Sequence, residues 1–203
     1  MVDGLVTTLE VFSLTLILSI PLGILVSIGR ISKVKFLSKI TEFYIWVMRG
    51  TPLMLQIVFI FFGLPLIGII FDRFTAVLIA FVLNYGAYFG EIFRGGIESI
   101  DKGQYEAAKV LGLTPYKTFK RVILPQMFKI VLPSIANEVI TLIKDTSLVY
   151  IVGIGELLRA GKIASNRDVS LIPLALVGVI YLLLTAIFTE VFNKIEGRYS
   201  YYE

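Results

Sequence analysis

The hydrophobic positions of this chain fall in long runs, not in the short alternations of a soluble protein. Residues 5–29 are apolar over the ~20 residues a bilayer-crossing helix requires. Glu10 sits near one end of that run, and Pro21 with Gly23 predicts a kink. A second run extends from about Phe36 to Phe62 and carries Arg49-Gly50-Thr51-Pro52 partway along. Three more cover Phe74 to about Phe93, Phe128 to Tyr150, and Leu171 to Phe192. Gly63 to Arg73 reads as a short turn, and Ile151 to Ser170 as a polar, glycine-containing connection. The pattern predicts an all-α integral membrane protein, five transmembrane helices forming one domain over 1–203.

Composition agrees and removes whole classes of chemistry. At 57% hydrophobic and a mean hydropathy of +0.86, the 203 residues leave too little polar surface for a soluble domain. There is no cysteine, which excludes disulfides, thiolate metal sites and cysteine nucleophiles. There is no histidine, so the commonest general base and metal ligand is missing too. No P-loop pattern occurs, so any ATP and Mg²⁺ chemistry belongs to another chain, and no cofactor or metal is expected in this one. The first residues hold Asp3 where a cleaved leader has a basic run, and the apolar stretch is longer than a leader's.

The net charge of +4 follows membrane sidedness, and no nucleic-acid partner is implied. Thirteen of the nineteen lysines and arginines fall in 30–39, 94–129 and the C-terminal tail. The other two connections hold Arg73, Arg159, Lys162 and Arg167. Basic loops stay in the cytoplasm, so the N-terminus is expected outside, with 94–129 and the C-terminus inside.

The longest polar interval is 102–125, KGQYEAAKVLGLTPYKTFKRVILP. Gln104 to Leu111 predicts a helix, with Gly112 as its left-handed C-terminal cap. Thr114 then caps a second helix that begins at Pro115, where a missing N–H costs nothing. Tyr105, Ala108 and Lys109 share a face of the first helix, and the small Ala107 and Ala108 allow another surface to come close. Tyr116 and Phe119 stand among Lys117, Lys120 and Arg121 on the second. Such a helix pair meets either lipid headgroups or a partner protein.

Glu106-Ala107-Ala108, three residues, Gly112, nine residues, then Val122-Ile123-Leu124-Pro125 resembles the EAA loop of bacterial ABC importer permeases. The one departure is Val122 in an isoleucine position. The resemblance implies the type I importer permease fold, with a coupling loop at about 94–128 that docks into a groove of an ATPase subunit. Tyr105, Glu106, Ala107, Ala108, Gly112, Thr114 and Tyr116 are the coupling candidates. It further implies two ATPase copies, a second permease copy (most simply a homodimer), and an extracytoplasmic solute-binding protein. Gly153-Ile154-Gly155-Glu156-Leu157 resembles the family's external segment that meets that protein.

Ionisable residues inside the runs carry the solute chemistry, since each costs roughly 2.5–3.5 kcal/mol at a span centre unless paired or facing water. They are Arg49, Glu91, Lys144 and Asp145. Arg49 precedes a break at Thr51-Pro52, where it either bonds freed carbonyls or faces a substrate carboxylate. Asn84, Tyr88 and Glu91 share one helical stripe, and Glu138, Thr141 and Asp145 another. Arg-Gly-Thr-Pro and Lys144-Asp145-Thr146-Ser147-Leu148 resemble motifs of the polar amino acid permeases, the latter lying by the family's translocation path. Glu91 and Asp145 are expected to form an acidic pocket for the side chain of arginine, lysine, histidine or ornithine, with Met54 as an apolar wall. Arg49, Asn84, Tyr88, Thr146 and Ser147 complete the substrate-binding candidates. The competing expectation pairs Asp145 with Arg49 and Glu91 with Arg94 as helix glue.

The function expected is an ATP-driven importer subunit for polar, basic amino acids, in the bacterial cell membrane. Its alternative is an ion- or proton-coupled secondary transporter or channel half using Glu91 and Asp145, which leaves the EAA loop unexplained.

Overall fold

The computed structural model describes residues 1–199, so the last four residues of the expected domain lie outside the described residues. Helix α1 spans Val2–Arg30 and runs through Pro21 without interruption. Helix α2 spans Lys35–Gly50, and α3, Leu53–Val58, continues as a π turn over Phe59–Gly63 and a 3-10 turn over Leu64–Ile67. Helix α4 spans Arg73–Glu98, with Asp72 as its cap, accepting from the N–H groups of Phe74 and Thr75. Hydrogen bonds from Thr75 hold the Asp72 carboxyl below its usual range.

Helices α5, Lys102–Val110, and α6, Pro115–Thr118, lead through a π turn over Phe119–Ile123 into α7, Leu124–Asp145. A 3-10 stretch over Thr146–Val152 follows, then α8, Leu157–Asp168, and α9, Ile172–Tyr199. No strand occurs among the described residues.

Four segments are long and apolar enough to cross a membrane: Val2–Arg30, Arg73–Glu98, Pro115–Val152 and Ile172–Arg198. The fifth expected span is the pair Lys35–Gly50 and Leu53–Ile67, bent by 104°. The run from Phe36 to Phe62 is therefore not one straight helix. Pro52 has no N–H to give, and it disfavours helical backbone at Thr51, which is extended at φ −120° and ψ 146°.

Helix α4 is the centre of the molecule, with Phe81, Tyr85 and Phe89 at 2% exposure or less. Helix α1 lies along it at close range, made possible by Gly86 and Gly90, a small-residue pair four apart. A Cβ on Gly86 would stand 2.6 Å from Leu22, and one on Gly90 2.6 Å from Val26. From the other side, Gly23 faces Phe89 and the backbone of Gly90. Gly23 is thus a packing position in a helix that continues past it. Helix α9 is the least buried span, with Leu176, Val179, Leu182, Leu183, Ile187 and Val191 exposed.

The segment expected as a connection, Ile151 to Ser170, contains the 12-residue helix α8. Gly153 turns the chain at φ +81°, and Glu156 caps the helix by accepting from the N–H groups of Leu158 and Arg159. Glu156 is fully buried and also accepts from the Tyr181 hydroxyl of α9, while the Leu157 N–H donates to Thr8 of α1. Burial pushes the Glu156 carboxyl above its usual range. Glu156 and Leu157 together tie α8 to α9 and α1, so the Glu156 carboxylate is engaged inside the chain.

Candidate functional site

The bend after α2 strips two carbonyls of their helical partners, and side-chain amides replace them. The Gln56 amide donates to the carbonyls of Met48, at 2.9 Å, and Thr51, at 3.2 Å, and to the Thr51 hydroxyl at 2.8 Å. Asn84 of α4 donates to the same Met48 carbonyl at 2.9 Å and to the Gln56 side-chain oxygen at 3.1 Å. The carbonyls are thus satisfied without arginine. The Arg49 guanidinium lies instead 5.1 Å from the centre of the Tyr88 ring.

The break, the middle of α4 and the end of α7 enclose a cavity of about 590 Å³. Arg49, Thr51 and Met54 line it from the break, Asn84, Tyr85 and Tyr88 from α4, and Glu138, Thr141 and Asp145 from α7. The α7 stripe at (i, i+3, i+7) spacing thus faces one space. Asp145 accepts a 2.8 Å hydrogen bond from the buried Tyr85 hydroxyl. Among the described residues it makes no ion pair with Arg49, so that expected pair does not form.

Glu91 is not part of this cavity. It lies about two turns beyond Asn84 on α4 and is held by Arg94 through two bonds, at 2.9 and 2.5 Å. Arg94 also bonds Glu98. Of the two internal pairs expected, only Glu91 with Arg94 is present, and the acidic partner that shares the cavity with Asp145 is Glu138. Thr146 is fully buried and bonds the Ile143 carbonyl at 2.7 Å. Thr146 and Ser147 open the 3-10 stretch and do not line the cavity.

Three contributors escaped the sequence candidates: Glu138, Tyr85 and Gln56. Glu138 carried a signal in its stripe. Tyr85 sits one residue from Asn84, on the face turned toward α7, and nothing in its spacing marks it. Gln56 was a lone amide in an apolar run, four residues after a proline break that must leave carbonyls short of donors.

The polar loop is a second candidate surface. Helix α5 ends in a Schellman cap, with Gly112 at φ +71°, the Leu113 N–H on the Ala108 carbonyl and the Gly112 N–H on the Lys109 carbonyl, each at 3.0 Å. Thr114 caps α6 by accepting from the Lys117 N–H, and Pro115 takes its first position. Leu111 is 77% and Tyr116 70% exposed, large apolar groups on a loop otherwise charged. Tyr105, Glu106 and Ala107 are exposed beside them. Ala108 is buried at 3%, so the expectation that it offers a close approach to another surface is corrected: it packs inward. Among the described residues no group of three or more carboxylates is arranged to hold a metal.

Residues 19–200 match the family model described as binding-protein-dependent transport system inner membrane component. The chain is 40% identical over 198 residues to the arginine transport system permease protein ArtQ of Bacillus subtilis, covering 97% of this chain and 90% of ArtQ. It is 35% identical to a putative glutamine transport system permease protein GlnP of Rickettsia conorii, over 97% of this chain and 91% of that one. A crystal structure of an amino acid ABC transporter with histidines superposes with a TM-score of 0.90 at 33% identity, covering 97% of this chain and 92% of the other. The chain therefore belongs to the binding-protein-dependent transport system inner membrane components, the permease subunits of ABC transporters, with the all-helical type I importer fold and ATP hydrolysis left to a separate subunit.

Proposed function

We propose that this chain forms the solute path of an ATP-driven importer for polar, basic L-amino acids such as arginine, lysine and histidine. The observation that carries the proposal is the charge inventory of the cavity, one guanidinium, Arg49, against two carboxylates, Glu138 and Asp145. An amino acid carboxylate meets Arg49, and its cationic groups meet the two acids. A neutral zwitterion leaves one carboxylate without a counter-charge in a low-dielectric space, which is costly. Met54 and Tyr88 supply apolar wall for the substrate stem. Glu91, tied to Arg94, has no part in this pocket.

Coupling runs through Tyr105, Glu106, Ala107, Gly112, Thr114 and Tyr116, where exposed apolar groups support docking into an ATPase groove. The assembly has two ATPase copies, a second permease copy and an extracytoplasmic binding protein. It works by alternating access in the bacterial cell membrane. The concentration of lysine and arginine in 30–39, 94–129 and the C-terminal end supports an outside N-terminus and a cytoplasmic coupling loop.

Uptake of radiolabelled arginine by the reconstituted importer tests the pocket. Glu138→Gln and Asp145→Asn should each raise the half-saturating concentration about tenfold or more, the ~1.4 kcal/mol scale of one charged hydrogen bond. Unchanged arginine affinity in both variants sinks the basic-substrate assignment. Loss of the co-purifying ATPase in Glu106→Arg with Gly112→Asp tests the coupling surface separately.

A further inference from the structure

A second cavity, about 480 Å³, opens beside the first between the ends of α1, α2 and α4. Arg30, Lys39, Glu42, Trp46 and Glu91 line it, and so does Arg49, which therefore stands in the wall of both spaces. On α2, Lys39, Glu42, Trp46 and Arg49 follow one another at (i, i+3, i+7, i+10), a single stripe pointing away from the core. The stripe holds a cation at each end, with Glu42 and the ring of Trp46 between them. Trp46 is 69% exposed.

The charges here are partly spoken for. Arg30 pairs with Glu42 at 3.2 Å, and Glu91 is held by Arg94. Lys39 and Arg49 remain as cations without an ion pair among the described residues. An anionic lipid headgroup is best met by cations alone. Glu42 is 51% exposed and meets Arg30 from one side only, which leaves it able to take a solute's cationic group while Lys39 takes the carboxylate. Such a crevice around an aromatic ring, within the size range of small-molecule sites, suits an amino acid with a carbon stem.

We propose that this crevice is a second amino acid station, on the cytoplasmic side of the transport path. It rests on the reading that the central cavity carries amino acids. Arg49 releases the substrate carboxylate to Lys39, and the stem lies against Trp46 before the solute leaves. The station is occupied by substrate from the cytoplasmic side as well as by substrate leaving the central cavity.

Trp46 is the sole tryptophan, so the emission of the isolated full chain reports this site directly. In phosphatidylcholine nanodiscs, L-arginine should shift the Trp46 emission saturably. The midpoint should stay within about twofold in a Glu138→Gln, Asp145→Asn double variant, and should rise about tenfold or more in Lys39→Gln. A response that vanishes with the central carboxylates and survives Lys39→Gln overturns the station while leaving the central-cavity assignment intact. A wild type unresponsive to both arginine and glutamine also overturns it. So does quenching of Trp46 by brominated phosphatidylglycerol that arginine does not displace, which identifies a lipid site instead. Arginine uptake by the wild-type importer is measured alongside, so failure of the substrate assignment is read independently.

Discussion

Gln56 does the least conspicuous and most consequential work of any single residue near the cavity. Its amide satisfies carbonyls that a 104° bend has orphaned, and it anchors Asn84 to the same corner. Gln56→Leu keeps the volume roughly constant and removes every one of those bonds. Asn84 still serves the Met48 carbonyl, so the part-buried Thr51 carbonyl and the Asn84 amide lose a partner, at a cost of roughly 1–2 kcal/mol. The apparent melting temperature in detergent should fall by several degrees, and an unchanged melting curve would show that water replaces the amide at no cost. At this scale the sequence was legible where side chains share an element. Glu138, Thr141 and Asp145 lie on one helix, and their common direction follows from 3.6-residue geometry. That Glu91 stands apart from Asp145 was not legible: it depends on how far along α4 the cavity reaches, and Glu91 lies two turns beyond Asn84, held by Arg94.

Among the elements, the most extensive contact is α1 against α4, and its determinants are glycines. A Cβ at Gly23 would stand 2.6 Å from the Phe89 Cβ and 3.0 Å from the Gly90 nitrogen, and backbone does not yield as a flexible side chain does. Gly23→Ala should therefore destabilise by roughly 1–3 kcal/mol despite alanine's better helix propensity. Gly95, on α4 with no atom within 4 Å of its would-be Cβ, is the matched control. Gly95→Ala should be neutral or stabilising, and equal melting shifts for the two variants would refute close approach as the role of Gly23. Local capping made the coupling loop readable in advance, because a Schellman turn and a threonine cap need only neighbouring residues. Helix α8 was not readable. It is short and polar, and it is held by contacts of Glu156 and Leu157 with α9 and α1 that are distant in sequence.

For the whole molecule, orientation is the property on which every functional assignment leans. The chain has no cysteine, so a single introduced thiol can be labelled without background. Asn166→Cys should react with a membrane-impermeant maleimide in intact cells, and Leu111→Cys only in inside-out vesicles. The opposite pattern would invert the topology and put the coupling loop away from ATP. Both positions are exposed on this chain, and Leu111→Cys is labelled in vesicles from cells lacking the ATPase subunit, which would otherwise cover the loop.

Helix α7 joins the two surfaces on which the proposed mechanism rests. It follows directly from α5 and α6, rooted by the fully buried Ile123, and ends at Asp145 in the cavity wall. Its 22 residues span about 33 Å at 1.5 Å each. A shaft of this kind fixes phase as well as distance. Adding or deleting one residue turns Asp145 by about 100° relative to α5 and α6, away from the cavity. Only steps of about seven residues restore its bearing, and each step lengthens the shaft by roughly 10 Å, a third of a bilayer's hydrocarbon. The length of α7 is therefore constrained by geometry more than its exposed side chains are: insertions or deletions of one or two residues between Leu124 and Asp145 turn the carboxylate out of the cavity wall.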